Sequence, residues 1–350
     1  MPLEIPVPHL TFDVPLDDGA RIRVRRHGNP EGVRLFLSHG NGYAINGYLP
    51  YWQHFLDRFD LIIFDFRNHG ENEPATPANH TYAQLSRDLE RVYQHVTAKL
   101  GNRRTAGIFH SMSGRTAMKH ALEIGFRFDS LILFDPPNVP PRDHPVFPAM
   151  EAFEARLVAF TRSRRTHFAA VEELASDFAK SRVGQAWVPG VHELMARSML
   201  RENPDGGGLV LACDPANEGG IYAEALSMNL WPQAKDFAGP VKLIGADPEL
   251  KGGSPTGRAN QALGSENGYN YSFVPGTGHM LQIEKPDACV QLTLAFLKEC
   301  GLGPPPGWSD LRVKPAGDEQ KVDSTIAVLV RDGPDRGAPS PLPSRLGSTC

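Results

Sequence analysis

Near-continuous apolar runs of four or five residues recur along the first half of the chain, separated by stretches with helical spacing. Val33-Arg34-Leu35-Phe36-Leu37, Leu61-Ile62-Ile63-Phe64 and Leu131-Ile132-Leu133-Phe134 are of this kind, as expected of central parallel strands buried on both faces. Ahead of them, Leu10–Val14 and Arg21–Val24 alternate with period two around Asp17-Asp18-Gly19, which predicts a hairpin. Val241–Ile244 and Tyr271–Val274 supply two later strands. Apolar residues at three-to-four spacing predict helices around Leu49–Phe59, Tyr82–Leu100 and Pro286–Lys298, and a shorter one over Arg115–Leu122. Strands alternating with helices predict an α/β doubly wound, mostly parallel sheet.

The alternation stops between residues 140 and 231. There Phe147–Thr161, Phe168–Lys180 and Val191–Arg201 have helical spacing. A helical insertion between two sheet strands predicts a cap over the C-terminal edge of the sheet, where ligands bind in such folds. The expected organisation is a core of residues 1–139, a helical cap of 140–231 and a second core part of 232–300. Beyond it, fifteen of the last fifty residues are Pro or Gly, and only Thr325–Val330 is strand-like. Such a composition buries too little apolar surface to offset chain entropy, so 301–350 is expected to be a disordered tail.

Composition narrows the function. A net charge of −4 argues against a nucleic-acid binder. No apolar run approaches the ~20 residues that cross a bilayer, and the first residues lack a basic region followed by an apolar core. Cys213, Cys289, Cys300 and Cys350 form no C-x-x-C pair, which fits a reducing, cytoplasmic compartment and no structural zinc. No H-x-x-H or H-E-x-x-H pair exists, so no metal site is expected. The expected partner is a small-molecule substrate, and a homo-oligomer is left open.

The chemistry centres on Gly107-Ile108-Phe109-His110-Ser111-Met112-Ser113-Gly114, a serine between an apolar strand and a helix. A serine at so sharp a turn is lifted clear of the sheet with a helix N-terminus behind it, and the helix dipole favours a developing negative charge. The pattern of such turns is G-x-S-x-G. Here Phe109 and Ser113 stand where glycines are expected. Ser113 is small enough; Phe109 is a bulk the sequence does not account for. Two further strands end in polar loops: Val241–Ile244 in Gly245-Ala246-Asp247-Pro248, and Tyr271–Val274 in Pro275-Gly276-Thr277-Gly278-His279. Ser, Asp and His thus follow in the order that serine hydrolases with this turn use, all at one sheet edge. Asp135, at the end of Leu131–Phe134, is the alternative acid. The G-x-D-P turn just ahead of the histidine strand favours Asp247.

With these residues in place, the chain resembles the α/β-hydrolase superfamily over about residues 10–300, helical cap included. The resemblance implies Ser111 as nucleophile, His279 as general base and Asp247 as its orienting acid, with no cofactor. Ser38-His39-Gly40-Asn41-Gly42 resembles the family's oxyanion segment, which implies backbone N–H donors at Asn41 and Met112. Asp65-Phe66-Arg67-Asn68-His69-Gly70 resembles a structural Asp-x-Arg-Gly-x-Gly turn, with Asn68 in place of a glycine. The implied activity is hydrolysis of an ester, lactone or thioester of a small to medium uncharged substrate. An aromatic and Met-rich cap (Phe147, Met150, Phe153, Leu157, Phe160, Phe168, Trp187, Met195, Met199) further suggests an apolar pocket. An acyltransferase or a C–C or amide hydrolase could use the same three residues, and a non-catalytic small-molecule-binding protein is the alternative of another class.

Overall fold

The computed structural model describes residues 3–303. Among the described residues, eleven strands and ten α-helices follow one another along the chain. β1 (Leu10–Pro15) and β2 (Arg21–Gly28) form the expected hairpin, paired Leu10 to Arg26 and Pro15 to Arg21. Next come β3 (Arg34–Ser38), α1 (Leu49–Trp52), β4 (Asp60–Phe64), α2 (Tyr82–Leu100), β5 (Thr105–His110), α3 (Met112–Glu123) and β6 (Ser130–Phe134). After α4 (Phe147–Ser163) come β7 (His167–Phe168), α5 (Val171–Lys180), α6 (Val191–Met199), β8 (Leu200–Glu202), β9 (Leu209–Leu211) and α7 (Pro215–Ala225). The chain then returns to the main sheet with β10 (Val241–Gly245), α8 (Thr256–Glu266), β11 (Asn270–Phe273), α9 (Leu281–Glu284) and α10 (Pro286–Glu299).

The main sheet has eight strands in the order β1-β2-β4-β3-β5-β6-β10-β11. Its first three are antiparallel neighbours; from β4 onward every pair is parallel. Every residue of β3, β4, β5, β6 and β10 is buried, which is why their apolar runs are unbroken. One face packs Leu85, Leu89, Val92 and Val96 of α2 and Ala117 and Met118 of α3; the other packs Tyr51 and Trp52 of α1 with Val290 and Leu297 of α10.

Two local expectations are corrected. The helix expected over Leu49–Phe59 is α-helical only for Leu49–Trp52 and continues as a 3₁₀ turn at Gln53–Phe55. The segment between β6 and β10 is not purely helical, for β7, β9 and β8 form a small antiparallel sheet. Strands of two or three residues are too short to show a period, and Gly206, Gly207 and Gly208, all at positive φ, turn the chain between β8 and β9. The expected tail falls outside the described residues from 304 on.

Candidate active site

Parallel strands end on one edge, and the register sets what meets there. His110 pairs with Phe134, Phe134 with Ile244, and Gly245 with Phe273. Ser111 and Asp135 are therefore neighbours at the ends of adjacent strands, and the loop after β11 brings His279 across to both.

Ser111 has φ 53° and ψ −116°, a strained backbone for a residue with a side chain. The turn is held by Ser111 N–H donating to Phe134 O at 2.9 Å. Ser113 clamps it, its Oγ accepting from His110 N–H and donating to His110 O, both at 2.9 Å. Phe109 fits because Gly107, two residues back on the same strand face, leaves room: a Cβ there would lie 2.6 Å from Phe109 Cε2. The Phe109 ring is fully buried, edge-on to Phe128 at 5.7 Å.

Ser111 Oγ donates to His279 Nε2 at 2.8 Å, and His279 Nδ1–H donates to Asp135 Oδ2 at 2.6 Å. The expected acid, Asp247, is not in this line. Its Oδ2 accepts the Gly276 N–H at 2.7 Å and its Oδ1 the Glu249 N–H at 2.9 Å, so it braces the loop that carries His279. Asp135 is buried in a nest of donors instead: Ala246 N–H at 3.0 Å, Asn260 Nδ2 at 2.9 Å and Thr256 Oγ1 at 2.6 Å. Burial pushes its carboxyl up, but the bond and charge of His279, with Thr256 and the Ala246 N–H, outweigh that and hold it below the usual range. Thr256 and Asn260 lie on α8, more than a hundred residues away in sequence, where no motif marks them.

A second line fixes the histidine from behind. Gly40 N–H donates to Tyr48 Oη at 3.1 Å, Tyr48 O–H donates to His110 Nδ1 at 2.8 Å, and His110 Nε2–H donates to His279 O at 2.8 Å. These partners assign the tautomer of His110. Burial, with His279 beside it, pushes His110 down to about 3, so it stays neutral in this role. The 38–42 segment, expected to serve as the oxyanion site, lies directly over the serine: a Cβ at Gly40 would come within 3.1 Å of Ser111 Cβ. On either side of Asn41, the Gly40 N–H is bonded to Tyr48 and the Gly42 N–H to His69 Nε2 at 3.1 Å. In the Asp65–Gly70 turn, Asn68 takes the glycine position at φ 62°, its side chain accepting from Ala75 N–H and donating to His80 Nδ1.

The segment between β6 and β10 presents charge, not only apolar surface, to the strand-to-helix turn at Ser111, the elbow. Glu154 of α4 pairs with fully buried Arg115, one helical turn beyond Ser111, at 3.0 Å. Glu218 of α7 pairs with Arg164, lies against Gly42, and its backbone O accepts from Asn41 Nδ2 at 2.9 Å. Several side chains on which an apolar lining was expected pack elsewhere. Phe168, Trp187, Met195 and Met199 join the main core, and Phe160 is 56% exposed. Among the described residues, His69, His80 and Cys213 have ligand atoms within 4.8 Å of one another. The lone pairs of the two histidines are engaged. His69 Nε2 accepts from Gly42, and His80 Nδ1 accepts from Asn68, which leaves the hydrogen on His80 Nε2.

The family model described as the alpha/beta hydrolase family matches residues 35–292. The chain belongs to this family. No curated protein matches it in sequence. Among solved structures, this α/β-hydrolase is similar to an E-2-(acetamidomethylene)succinate hydrolase, with TM-score 0.67 and 18% identity over 83% of this chain and 99% of that one. It is also similar to the thioesterase domain from the curacin biosynthetic pathway, with TM-score 0.60 and 18% identity over 82% and 100%. A thermophilic esterase from Thermogutta terrifontis, malate bound, gives TM-score 0.57 and 20% identity over 83% and 99%. At these identities the likeness is one of fold. Among the described residues, no helix is long and apolar enough to cross a membrane.

Proposed function

We propose that this α/β-hydrolase cleaves an ester or thioester of a short acyl compound through Ser111, His279 and Asp135. The observation that carries the reading is the unbroken series of hydrogen bonds, 2.8 Å and 2.6 Å, that ends on a serine held at positive φ. His279 takes the Ser111 proton as Oγ attacks the acyl carbon and returns it to the leaving group; water then releases the acyl group by the same route in reverse. Asp135 keeps the imidazole in the tautomer with hydrogen on Nδ1 and stabilises the imidazolium. The N–H groups of Asn41 and Met112 receive the oxyanion, an interaction whose loss typically costs ~3–4 kcal/mol per donor. The segment between β6 and β10 acts as the cap.

One observation favours a polar acyl group over a long apolar chain. Glu154–Arg115 and Glu218–Arg164 lie buried between the cap and the elbow and its oxyanion segment, and buried charges of this kind are poor company for hydrocarbon. Two of the neighbours carry related chemistry in their names, one a succinate derivative and one bound malate. The test is a fluorophosphonate probe followed by a panel of p-nitrophenyl esters from acetate to palmitate, with monoesters of dicarboxylic acids alongside. The expected result is labelling that disappears in Ser111→Ala, a ~10³-fold or greater loss of turnover in that variant, and preference for short or carboxylate-bearing esters. Labelling that survives in Ser111→Ala removes the nucleophile assignment, and preference for palmitate removes the proposed preference for a polar acyl group.

A further inference from the structure

The loop that carries His279 is gripped by a carboxylate outside the serine–histidine–aspartate line. Glu284, on the single-turn helix α9, accepts the Gly278 N–H on Oε2 at 2.6 Å and the Met280 N–H on Oε1 at 3.1 Å. These are the amides immediately before and after His279. The His279 carbonyl accepts from His110 Nε2 at 2.8 Å. The approach is close: a Cβ at Gly278 would lie 3.2 Å from Glu284 Oε1. α9 itself is anchored from both sides, by Ile283 O accepting from Val188 N–H at 2.9 Å and by burial of Leu281 and Ile283 in the core.

We infer that Glu284 is a positioning residue for His279, setting the imidazole between Ser111 and Asp135 and adding a second negative charge that favours the imidazolium formed during attack. This rests on the proposed role of His279 as base. The geometry explains why a carboxylate is needed. Only an acid offers two acceptor oxygens to two N–H donors at once; a glutamine would turn its own NH₂ toward one of them. The charged groups in reach are few. His279 is faced by Asp135, by the neutral ring of His110 at 4.8 Å and, farther off, by Glu154. Glu284 is faced by His279 and Asp135, by Tyr43 and by Cys289 of α10, while the neighbouring Lys285 donates its Nζ to Pro275 O. Burial pushes the Glu284 carboxyl up from its ordinary value, and the two N–H donors and His279 oppose the rise.

The test needs no knowledge of the substrate. The second-order rate of fluorophosphonate labelling of Ser111 is measured against pH for wild type and Glu284→Gln, with folding checked by circular dichroism. Misplacing the base should slow labelling at its pH optimum ~10–100-fold. Removing a negative charge beside the imidazolium should also move the acidic limb of the profile to lower pH, by about 0.5 unit. Labelling at the wild-type rate overturns the inference. So does slower labelling with an unmoved limb, which is what a merely structural role would give. If Glu284→Gln does not fold, Glu284→Asp carries the test, because it keeps the charge but shortens the reach. Slower labelling at an unchanged melting temperature, with the limb in place because the charge is kept, then supports the inference; an unchanged rate, or a rate lost only in step with melting temperature, overturns it. A wild-type protein that the probe does not label is a different failure, that of the serine mechanism itself.

Discussion

Asp135 and Asp247 both follow a sheet strand and both lie at the edge where Ser111 stands, yet their carboxylates have different work. Asp135 Oδ2 accepts from His279, and its nest of donors holds it ionised; Asp247 bonds only turn amides of its own and the neighbouring loop. Asp135→Asn should therefore lower the labelling rate of Ser111 by ~10³–10⁴-fold, because an amide cannot hold the imidazole in the working tautomer. Asp247→Asn should change that rate less than tenfold and act mainly through a small fall in melting temperature. Stopped labelling assays with parallel thermal melts separate the two, and the opposite ranking would return the acid to the later strand. Ser111 and His279 were legible because each sits in a short motif whose neighbours are local. The aspartate that meets His279 was not, since the choice between two strand-end aspartates depends on α8, whose Thr256 and Asn260 are 121 and 125 residues from Asp135.

At the level of elements, β5 and α3 meet in a turn that tolerates Phe109 by a device built from Gly107, His110, Ser113 and Phe128. Gly107 vacates the space beneath the ring, Ser113 bonds both backbone groups of His110, and Phe128 closes the far side. Gly107→Ala should thus be costly although its backbone is unexceptional. The added methyl meets Phe109 at 2.6 Å and Leu131 at 2.8 Å, an overpacking that typically costs ~1–3 kcal/mol. A lower urea midpoint with a slope unchanged from wild type is the expected result; wild-type stability would mean the ring moves freely. The segment between β6 and β10 has helical spacing over most of its length, yet it also holds three short strands. Its strands are held by pairing across the chain, not by any pattern within it.

For the whole molecule, the buried histidines set the response to acid. Burial pushes His27 and His39 down to about 4 and His80 and His110 down to about 3. In the unfolded chain each titrates near ~6.5. Below that pH the unfolded state binds protons that the native state refuses, so their contribution is fully present above about 6.5 and is lost as pH falls toward the folded values. Each such group contributes at most ~1.4 kcal/mol per pH unit in that window. Urea midpoints should consequently fall steeply between pH 7 and 5. Midpoints that stay level over that range would show that these rings are not held neutral.

The alternating pattern of apolar runs and helical spacing was sufficient for the fold class, because strands buried on both faces must be apolar throughout and parallel strands need helical crossovers. The serine turn and the loop that brings His279 to it were readable for a similar reason: each is a local conformation with its own residue requirements. What waited for the tertiary structure was every choice made across the sheet edge. Which aspartate meets His279, which carboxylate grips its loop, how Tyr48 and His110 brace it, and what charge the insertion brings to the elbow all depend on strand register and on helices far away in sequence. Side chains that meet only after folding leave no spacing in the chain to find them by.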